Sequence, residues 1–281
     1  MEKRKGVKVI HTILPYFILA LAIFMTLLPV FSMILTSLKT QREIMSSGDF
    51  FPNSVSFENY IKTIQKSNFL VYIRNSLMVA ITVSVVSTVF AILGGYALSR
   101  YRNKVKGLKA YTTFLLVLQM FPVVQLIIPL YLNFQRVGIT NTRLSVIVAY
   151  LTFTLPLNIW MMQSFFDGIP IEMEESGRID GCGRFQTLVL LVAPVAGPGI
   201  ASVGIFAFNY CWNEYLIGSL LLKRDGLRTL TIGLQNFMQE NTTDWGSLMA
   251  ASTMSLIPVL IFLIFMQKNI VSGMTAGAVK G

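Results

Sequence analysis

The segment from Glu172 to Pro194 holds the densest group of charged and small residues in the second half of the chain. Glu172, Glu174 and Glu175 stand close together, and Arg178 follows Glu174 by one helical turn. If a short helix begins here, the helix dipole favours carboxylates at its start, and Glu174 can pair with Arg178. Such a surface offers charge-assisted contact with another protein. The alternative interpretation is a solvated turn between two helices.

Small residues shape the same segment. Ser176 and Gly177 would let a partner approach closely, and Gly181 would end the short helix and let the chain turn. Gly177 lowers helix propensity by about 1 kcal/mol relative to alanine, which argues against a plain solvated turn.

A second set of polar side chains lies inside apolar segments and could contact a solute. Amides, carboxylates and aromatic rings suit the hydroxyl groups and flat CH faces of sugars. Asn and Gln also join helices by hydrogen bonds in bilayers, so each residue taken singly has a structural alternative. The candidate residues for a substrate path are Asn158, Trp160, Gln163, Asn209, Trp212, Asn213 and Glu214.

The residue types that common catalytic sites need are scarce. The chain has one histidine and two cysteines, Cys182 and Cys211, a set that predicts neither a familiar zinc site nor a disulfide. It contains no G-x-x-x-x-G-K-[ST] phosphate loop. We therefore expect no catalytic residues, no metal and no cofactor of its own, and an integral-membrane enzyme is the weaker alternative.

These residues are set in a strongly apolar chain, of which 54% is hydrophobic and 13% charged. Six segments free of Asp, Glu, Lys and Arg each exceed the roughly 18 residues that span a bilayer as a helix, and lipid obliges such segments to be helical. The sequence predicts an all-α integral membrane protein. The six transmembrane helices are predicted at about 11–37, 74–99, 110–133, 144–167, 190–222 and 245–267.

Basic residues predict the orientation of these helices. Four lie before the first helix, and five lie within residues 100–109. Because positive loops stay cytoplasmic, both termini are expected inside the cell. The net charge of +10 then reflects loops beside anionic lipid headgroups rather than nucleic-acid binding. The predicted organisation is a cytoplasmic N-terminus 1–10, a transmembrane domain 11–268 with external segment 39–73 and cytoplasmic loop 168–189, and a cytoplasmic tail 269–281.

The cytoplasmic loop resembles the EAA motif of permease subunits in binding-protein-dependent ABC importers. That motif runs Glu-Ala-Ala, three residues, Gly, nine residues, Ile-x-Leu-Pro. Glu175-Ser176-Gly177, Gly181 and Leu191-Val192-Ala193-Pro194 fit this spacing without a gap, and the departures are all small or apolar. "RIDG" at 178–181 and "GMTAGAVKG" at 273–281 resemble the carbohydrate branch, in particular the second permease of maltose-type sugar importers.

The resemblance implies a type I ABC importer permease fold in the cytoplasmic membrane of a prokaryote, and translocation of a sugar or oligosaccharide. It implies a coupling helix in 168–189 that docks on a separate ATPase, which binds the ATP, and a tail that reaches the ATPase interface. The implied partners are a second permease in a heterodimer, ATP-binding cassette subunits and an extracytoplasmic solute-binding protein. The residues implied for ATPase coupling are Glu174, Glu175, Ser176, Gly177, Arg178, Asp180 and Gly181. Those implied for the tail contact are Gly273, Thr275 and Gly277.

Two other transport hypotheses stand beside this one. An importer of the same kind could carry a solute that is not a sugar. A self-contained channel or secondary carrier is disfavoured, since such proteins often show internal repeats and the chain shows none.

Overall fold

The computed structural model describes the backbone of residues 2–46, 48–238 and 243–278, and the side chains of 14–46, 48–65, 67–238 and 243–265. Within these residues every regular element is a helix, apart from one isolated bridge between Met238 and Thr243. The prediction of an all-α protein is confirmed.

The helices are labelled in the order in which they follow one another along the chain. They are α1 (Glu2–Ser37), α2 (Gln41–Ser46), α3 (Glu58–Lys66), α4 (Phe69–Tyr101), α5 (Leu108–Leu118), α6 (Val123–Val137), α7 (Arg143–Asp167), α8 (Glu172–Ile179), α9 (Arg184–Gln186), a π-helix (Thr187–Val192), α10 (Ala193–Val195), α11 (Gly197–Asn213), α12 (Leu216–Leu221), α13 (Leu230–Leu234) and α14 (Trp245–Ala278).

Four helices are long and apolar enough to cross a membrane. They are Leu14–Ser37 of α1, α4, α7 and Trp245–Phe265 of α14. Two further candidates are bent pairs, because α5 meets α6 at 100° and the helical stretch Arg184–Val195 meets α11 at 81°. Counting each bent pair as one span gives up to six spans among the described residues, by length and composition.

The bent pairs differ from the continuous helices that the sequence predicts. The stretch predicted as one helix over 110–133 divides after Leu118, and Pro122 precedes α6 with an extended backbone (φ −62°, ψ 123°). The stretch 190–222 divides at Ala196 and again at Glu214. At the other end of the chain, α14 continues to Ala278, so that residues 269–278 have a helical backbone.

The chain forms two compact units, of which the first comprises residues 1–67 and 234–256. In this unit the buried Asn59 of α3 donates from Nδ2 to the carbonyl oxygens of Ser37 (3.0 Å) and Lys39 (2.7 Å), which satisfies acceptors at the end of α1. Lys62 pairs with Asp244, whose carboxylate also accepts from the backbone N–H of Ser247 (3.1 Å) in the first turn of α14. Helix α3 therefore fastens the end of α1 to the start of α14.

The second unit comprises residues 68–233 and 257–281, and its core lies between α4, α7 and α11. Gly95 of α4 permits close approach to α7, because a Cβ at this position would lie 2.8 Å from the backbone nitrogen of Gln163. Ser84 Oγ of α4 donates to the carbonyl oxygen of Gly204 in α11 (2.7 Å). Small residues at such crossings let spanning helices pack closely, and the segment 168–189 follows directly after α7 of this packed group.

Candidate functional site

Helix α8 and the turn that follows it form the segment that the sequence singles out. Its first turn holds Glu172, Glu174 and Glu175, as the helix dipole favours. After Ile179 the chain turns at Gly181, which has a φ of +89°. The amide of Cys182 donates to the carbonyl oxygen of Gly177 (2.9 Å), which closes the helix in the manner of a glycine-based C-terminal cap.

The two faces of α8 differ sharply in exposure. Glu174 and Gly177 are buried, while the remaining predicted coupling residues lie on the exposed face. These exposed residues are Glu175, Ser176, Arg178, Asp180 and Gly181. The structure thus divides the predicted coupling set between an inner and an outer surface.

Position 177 requires a glycine because of a contact inside the chain. A Cβ built on it would lie 2.4 Å from Cδ1 of Leu191, a residue of the π-helix. The sequence interpretation placed Gly177 on a surface for a partner, whereas the structure places it under Leu191. Leu191 begins the Leu-Val-Ala-Pro stretch of the motif, so that the two halves of the motif touch each other.

Glu174 is bonded to another helix rather than to Arg178. Its Oε1 accepts from Nε of Arg100 (2.5 Å), and its Oε2 accepts from the hydroxyl of Tyr96 (2.7 Å). The side chain of Glu174 is 1% exposed and that of Arg100 is 10% exposed. The predicted pair of Glu174 with Arg178 is therefore replaced by a buried ion pair, because Glu174 faces inward and Arg178 faces outward.

Arg100 and Tyr96 are the site residues that sequence reasoning missed. Both lie at the end of α4, and the sequence interpretation counted Arg100 only as one basic residue of a positive loop. A second link lies nearer to solvent, where Asp167 accepts from Ser99 Oγ (2.6 Å) and pairs with Arg102 Nη1 (3.0 Å). The sequence "RYR" shows two arginines at the end of α4, Arg100 and Arg102. Their spacing does not reveal which of the two side chains turns inward.

Large apolar side chains also lie exposed around α8. Ile179 is 86% exposed and Phe185 is 68% exposed. Isolated exposed apolar residues are ordinary on protein surfaces. Ile179 directly follows the exposed Arg178 in α8, so that the exposed face of this helix has both charge and apolar area.

The predicted path residues do not share one environment. Asn158 is fully buried and donates from Nδ2 to Ser87 Oγ of α4 (2.6 Å). Gln163 is 3% exposed and Trp212 is 5% exposed, with Trp212 stacked on Phe208. Asn158 joins α7 to α4, which is the structural alternative that its residue type allows, while Gln163 and Trp212 contact residues of their own helices.

Glu214 is a helix-capping residue. Its carboxylate accepts from the backbone N–H groups of Ile217 (2.8 Å) and Gly218 (3.0 Å) at the start of α12. The hydroxyl of Tyr150 donates to the same carboxylate (2.6 Å). The carboxylate of Glu214 is therefore hydrogen-bonded to groups of the same chain.

Asn209 and Asn213 remain as exposed members of the predicted path, while Trp160 is half-buried. The two asparagines lie one turn apart on α11, and Asn213 Nδ2 donates to Asn209 Oδ1 (2.8 Å). Asn209 lies at a concave surface that Phe206 and Phe262 also line. Amides beside aromatic rings are suited to a polar solute with apolar faces.

The predicted tail contacts lie at the end of α14. The structure describes only the backbone of Gly273, Thr275 and Gly277, and residues 279–281 lie outside the described residues. Among the described side chains, no three His, Cys, Asp or Glu residues lie together as metal ligands would.

The long apolar helices, the two bent pairs and the exposed short helix between two candidate spans define a class of protein, the helical membrane proteins with several spans. The fold is similar to that of an importer in a solved structure, "a bacterial ABC transporter involved in the import of the acidic polysaccharide alginate". The TM-score is 0.80 at 22% identity, over 93% of this chain and 97% of the other.

Sequence comparison identifies the family. Residues 88–276 match the family described as binding-protein-dependent transport system inner membrane component, and the chain belongs to this family. It is 36% identical over 266 residues to the inner membrane ABC transporter permease protein YcjP of Escherichia coli, covering 94% of each chain. It is 34% identical over 229 residues to the trehalose/maltose transport system permease protein MalG of Thermococcus litoralis, covering 80% of this chain and 82% of the relative.

A third relative is the diacetylchitobiose uptake system permease protein DasC of Streptomyces coelicolor, which is 33% identical over 254 residues, covering 90% of this chain and 91% of the relative. The chain is thus a multi-pass permease of the cytoplasmic membrane, a transport component rather than an enzyme. The predictions of family, membrane location and transport class are confirmed.

Proposed function

We propose that the chain forms part of the passage for a sugar or oligosaccharide in an ATP-driven importer, and that a separate ATPase docks on the exposed face of α8. The proposal places α8 and the loop 168–189 in the cytoplasm, where ATP is hydrolysed by the partner. The chain itself then binds no ATP.

The exposed face of α8 is the observation that carries the coupling part of this proposal. A short helix with Glu174 and Gly177 fixed inward presents Glu175, Arg178 and Ile179 outward. Charged side chains around an exposed apolar residue are typical of a protein interface, where an apolar centre has a polar rim. Ile179, which is 86% exposed, supplies the apolar part of such a surface.

The solute class is supported by the relatives and by the chemistry of α11. Two of the three relatives named above are permeases for sugars, one for trehalose or maltose and one for diacetylchitobiose. The exposed amides of Asn209 and Asn213 can donate to and accept from hydroxyl groups. A solute that is not a sugar is the alternative, and the charge-free character of this pair favours a neutral polar molecule.

The proposal includes three protein partners. A second permease would pair with this one as a heterodimer, an ATP-binding cassette subunit would dock on α8, and a solute-binding protein would deliver the solute from outside. Gly273, Thr275 and Gly277 of the tail are proposed as further contacts with the ATPase. The family description supports the delivery step, since it names a binding-protein-dependent system.

The coupling part is tested with Glu175→Ala in proteoliposomes that contain both permeases and the ATPase. Removing one partner of a buried charge-assisted contact costs about 2–5 kcal/mol, so we expect weaker co-purification with the ATPase or lower transport, with normal membrane insertion. Glu58→Ala, which removes an exposed glutamate of α3 outside the proposed docking face, is the control and should behave as wild type. Wild-type attachment and transport in Glu175→Ala would reduce the segment to a solvated turn.

The solute part is tested on the cognate solute-binding protein. A calorimetric panel of mono- and oligosaccharides, amino acids and short peptides should give binding for a saccharide. The same compound should then stimulate ATP hydrolysis by the reconstituted importer. Binding of a non-saccharide alone would favour the alternative solute class and leave the coupling proposal intact.

A further inference from the structure

Arg100 joins α4 to the segment that carries α8. Its guanidinium donates to Glu174 Oε1 of α8 (2.5 Å), to the carbonyl oxygen of Phe166 in the last turn of α7 (3.0 Å) and to that of Ile169 between α7 and α8 (3.1 Å). One turn earlier on α4, Tyr96 donates to the other oxygen of Glu174 (2.7 Å). Both carboxylate oxygens are therefore held by α4.

These hydrogen bonds fix the orientation of α8 relative to α4 as well as the contact between the two helices. A guanidinium offers several N–H donors in one rigid plane, which a lysine ammonium cannot reproduce. The acceptors of Arg100 lie on α7, on α8 and on the chain between them, so a rotation of α8 relative to α4 would break at least one hydrogen bond. Apolar packing of similar size would hold α8 in place with a looser orientation.

Stability alone does not account for a buried ion pair here. Replacing such a pair by well-packed apolar residues is often neutral or stabilising. Helices α4 and α7 are already joined by the close approach at Gly95 and by an apolar cluster that includes Ala91, Met162 and Phe166. What the ion pair adds is a directional attachment of α8 to α4, beside the apolar contacts that α8 makes with Leu191 and, through Met173, with the core cluster.

We propose that Arg100 and Tyr96 are positioning residues that make α8 move as one body with α4 and α7. This inference rests on the proposed function, in which the ATPase moves α8. With the three residues Tyr96, Arg100 and Glu174 in place, a displacement of α8 is delivered to a spanning helix other than its chain neighbour. Without them the ATPase still docks on α8, and less of its movement reaches the spanning helices.

The first test measures solute transported per ATP hydrolysed in proteoliposomes, for Arg100→Lys, Tyr96→Phe and Glu174→Gln. We expect normal insertion and normal co-purification with the ATPase. The number of solute molecules moved per ATP should fall by about two- to thirtyfold, the range found when residues between coupled sites are changed.

The matched control is Arg102→Lys, on the same helix. Arg102 pairs with Asp167 where both side chains are about one-third exposed (35% and 31%), and exposed pairs contribute little. Glu58→Gln gives the same chemical change as Glu174→Gln at an exposed position of α3, outside the proposed docking face. Both controls should keep the wild-type ratio of transport to ATP hydrolysis.

The second test measures orientation directly. Spin labels at Asn103→Cys and Glu172→Cys, with Cys182 and Cys211 replaced by alanine, report the distance between the end of α4 and α8. We expect one narrow distance distribution, with and without nucleotide, in the otherwise wild-type importer. Arg100→Lys should broaden this distribution, whereas Arg102→Lys should leave it narrow.

An unpaired buried charge could prevent insertion of a single variant, and Arg100→Met combined with Glu174→Met avoids this. The double variant should insert, retain ATPase attachment and show the same low transport per ATP. Wild-type transport per ATP together with a narrow distribution in Arg100→Lys or in the double variant would overturn the inference. In that case loss of ATPase attachment in Glu175→Ala would still uphold the proposed function, and unchanged attachment there would reject it separately.

Discussion

Gly181 turns the chain directly after α8 and has a φ of +89°. No heavy atom outside its immediate neighbours lies within 4 Å of the position where a Cβ would stand. A substitution there is therefore limited by backbone conformation and not by lack of space. Position 181 therefore separates the effect of a positive φ from the effect of side-chain volume, two effects that usually occur together at a glycine.

We expect Gly181→Val to be damaging and Gly181→Asn to be mild. A β-branched residue held at positive φ costs about 1–3 kcal/mol, whereas asparagine adopts this conformation more readily. The turn that presents α8 should therefore be distorted by valine alone. Co-purification with the ATPase and the unfolding temperature of the detergent-purified subunit measure the effect, and equal behaviour of the two variants would show that positive φ is not what the position requires.

Asn158 and Asn213 give a second comparison between single residues. Asn158→Leu removes the buried hydrogen bond to Ser87 and should destabilise the subunit by about 0.6–1.7 kcal/mol, the range measured for such bonds in bilayers. Asn213→Leu removes an exposed amide and should lower uptake while stability and assembly stay normal. Thermal unfolding and solute uptake, measured on both variants, should show these opposite patterns. Normal uptake in Asn213→Leu would remove α11 from the proposed path.

The sequence predicted a short helix that begins near Glu172 and ends at a glycine turn, but not the partners of its residues. Glu174 has a basic residue four positions away, and local spacing favours that pair. Its actual partner, Arg100, is 74 positions distant, and it becomes a neighbour only when α4 packs against α7. The positive φ at Gly181, in contrast, could be predicted, because a glycine that ends a short helix adopts this conformation for reasons that lie in the neighbouring residues alone.

At the scale of the helices, α4 and α7 meet through two adjacent glycines with different surroundings. A Cβ at Gly95 would lie 2.8 Å from the backbone of Gln163, while a Cβ at Gly94 would lie 3.3 Å from the end of the Ile159 side chain. A side chain can move aside by a rotation of its bonds, whereas the backbone of a packed helix cannot.

Gly95→Ala should therefore destabilise the subunit by about 1–3 kcal/mol, as extra methyl groups in a packed core do. Gly94→Ala makes the same chemical change one residue away and should be close to neutral. The comparison uses unfolding temperatures of the two purified variants and their yields from membranes. Equal losses would mean that α4 and α7 can separate at this crossing without cost.

The apolar pattern predicted how many segments enter the membrane, but not which of them bend. Six charge-free segments correspond to four long helices and two bent pairs. Hydropathy reports the composition of a segment, whereas the 100° bend between α5 and α6 depends on the local backbone at Pro122. Pro129 and Pro156 lie within continuous helices, so that a proline alone does not locate a break.

At the scale of the whole molecule, the proposal requires α8 and the loop after α4 to face the same compartment. Single cysteines at Val55, Lys104 and Glu172, with Cys182 and Cys211 replaced by alanine, test this with a membrane-impermeant maleimide. All three positions are exposed. We expect labelling of position 55 in intact cells and of positions 104 and 172 only in inside-out vesicles. Labelling of position 172 from outside the cell would reverse the orientation and exclude ATPase docking on α8.

Arg100 is subject to two selection pressures that accept different residues. Membrane insertion senses only positive charge near the end of a span, and lysine satisfies it. The three hydrogen bonds that Arg100 makes to Glu174, Phe166 and Ile169 require the planar guanidinium. In a saturation library of this position, a screen for membrane insertion should therefore not distinguish arginine from lysine, whereas growth on the transported solute should retain arginine alone.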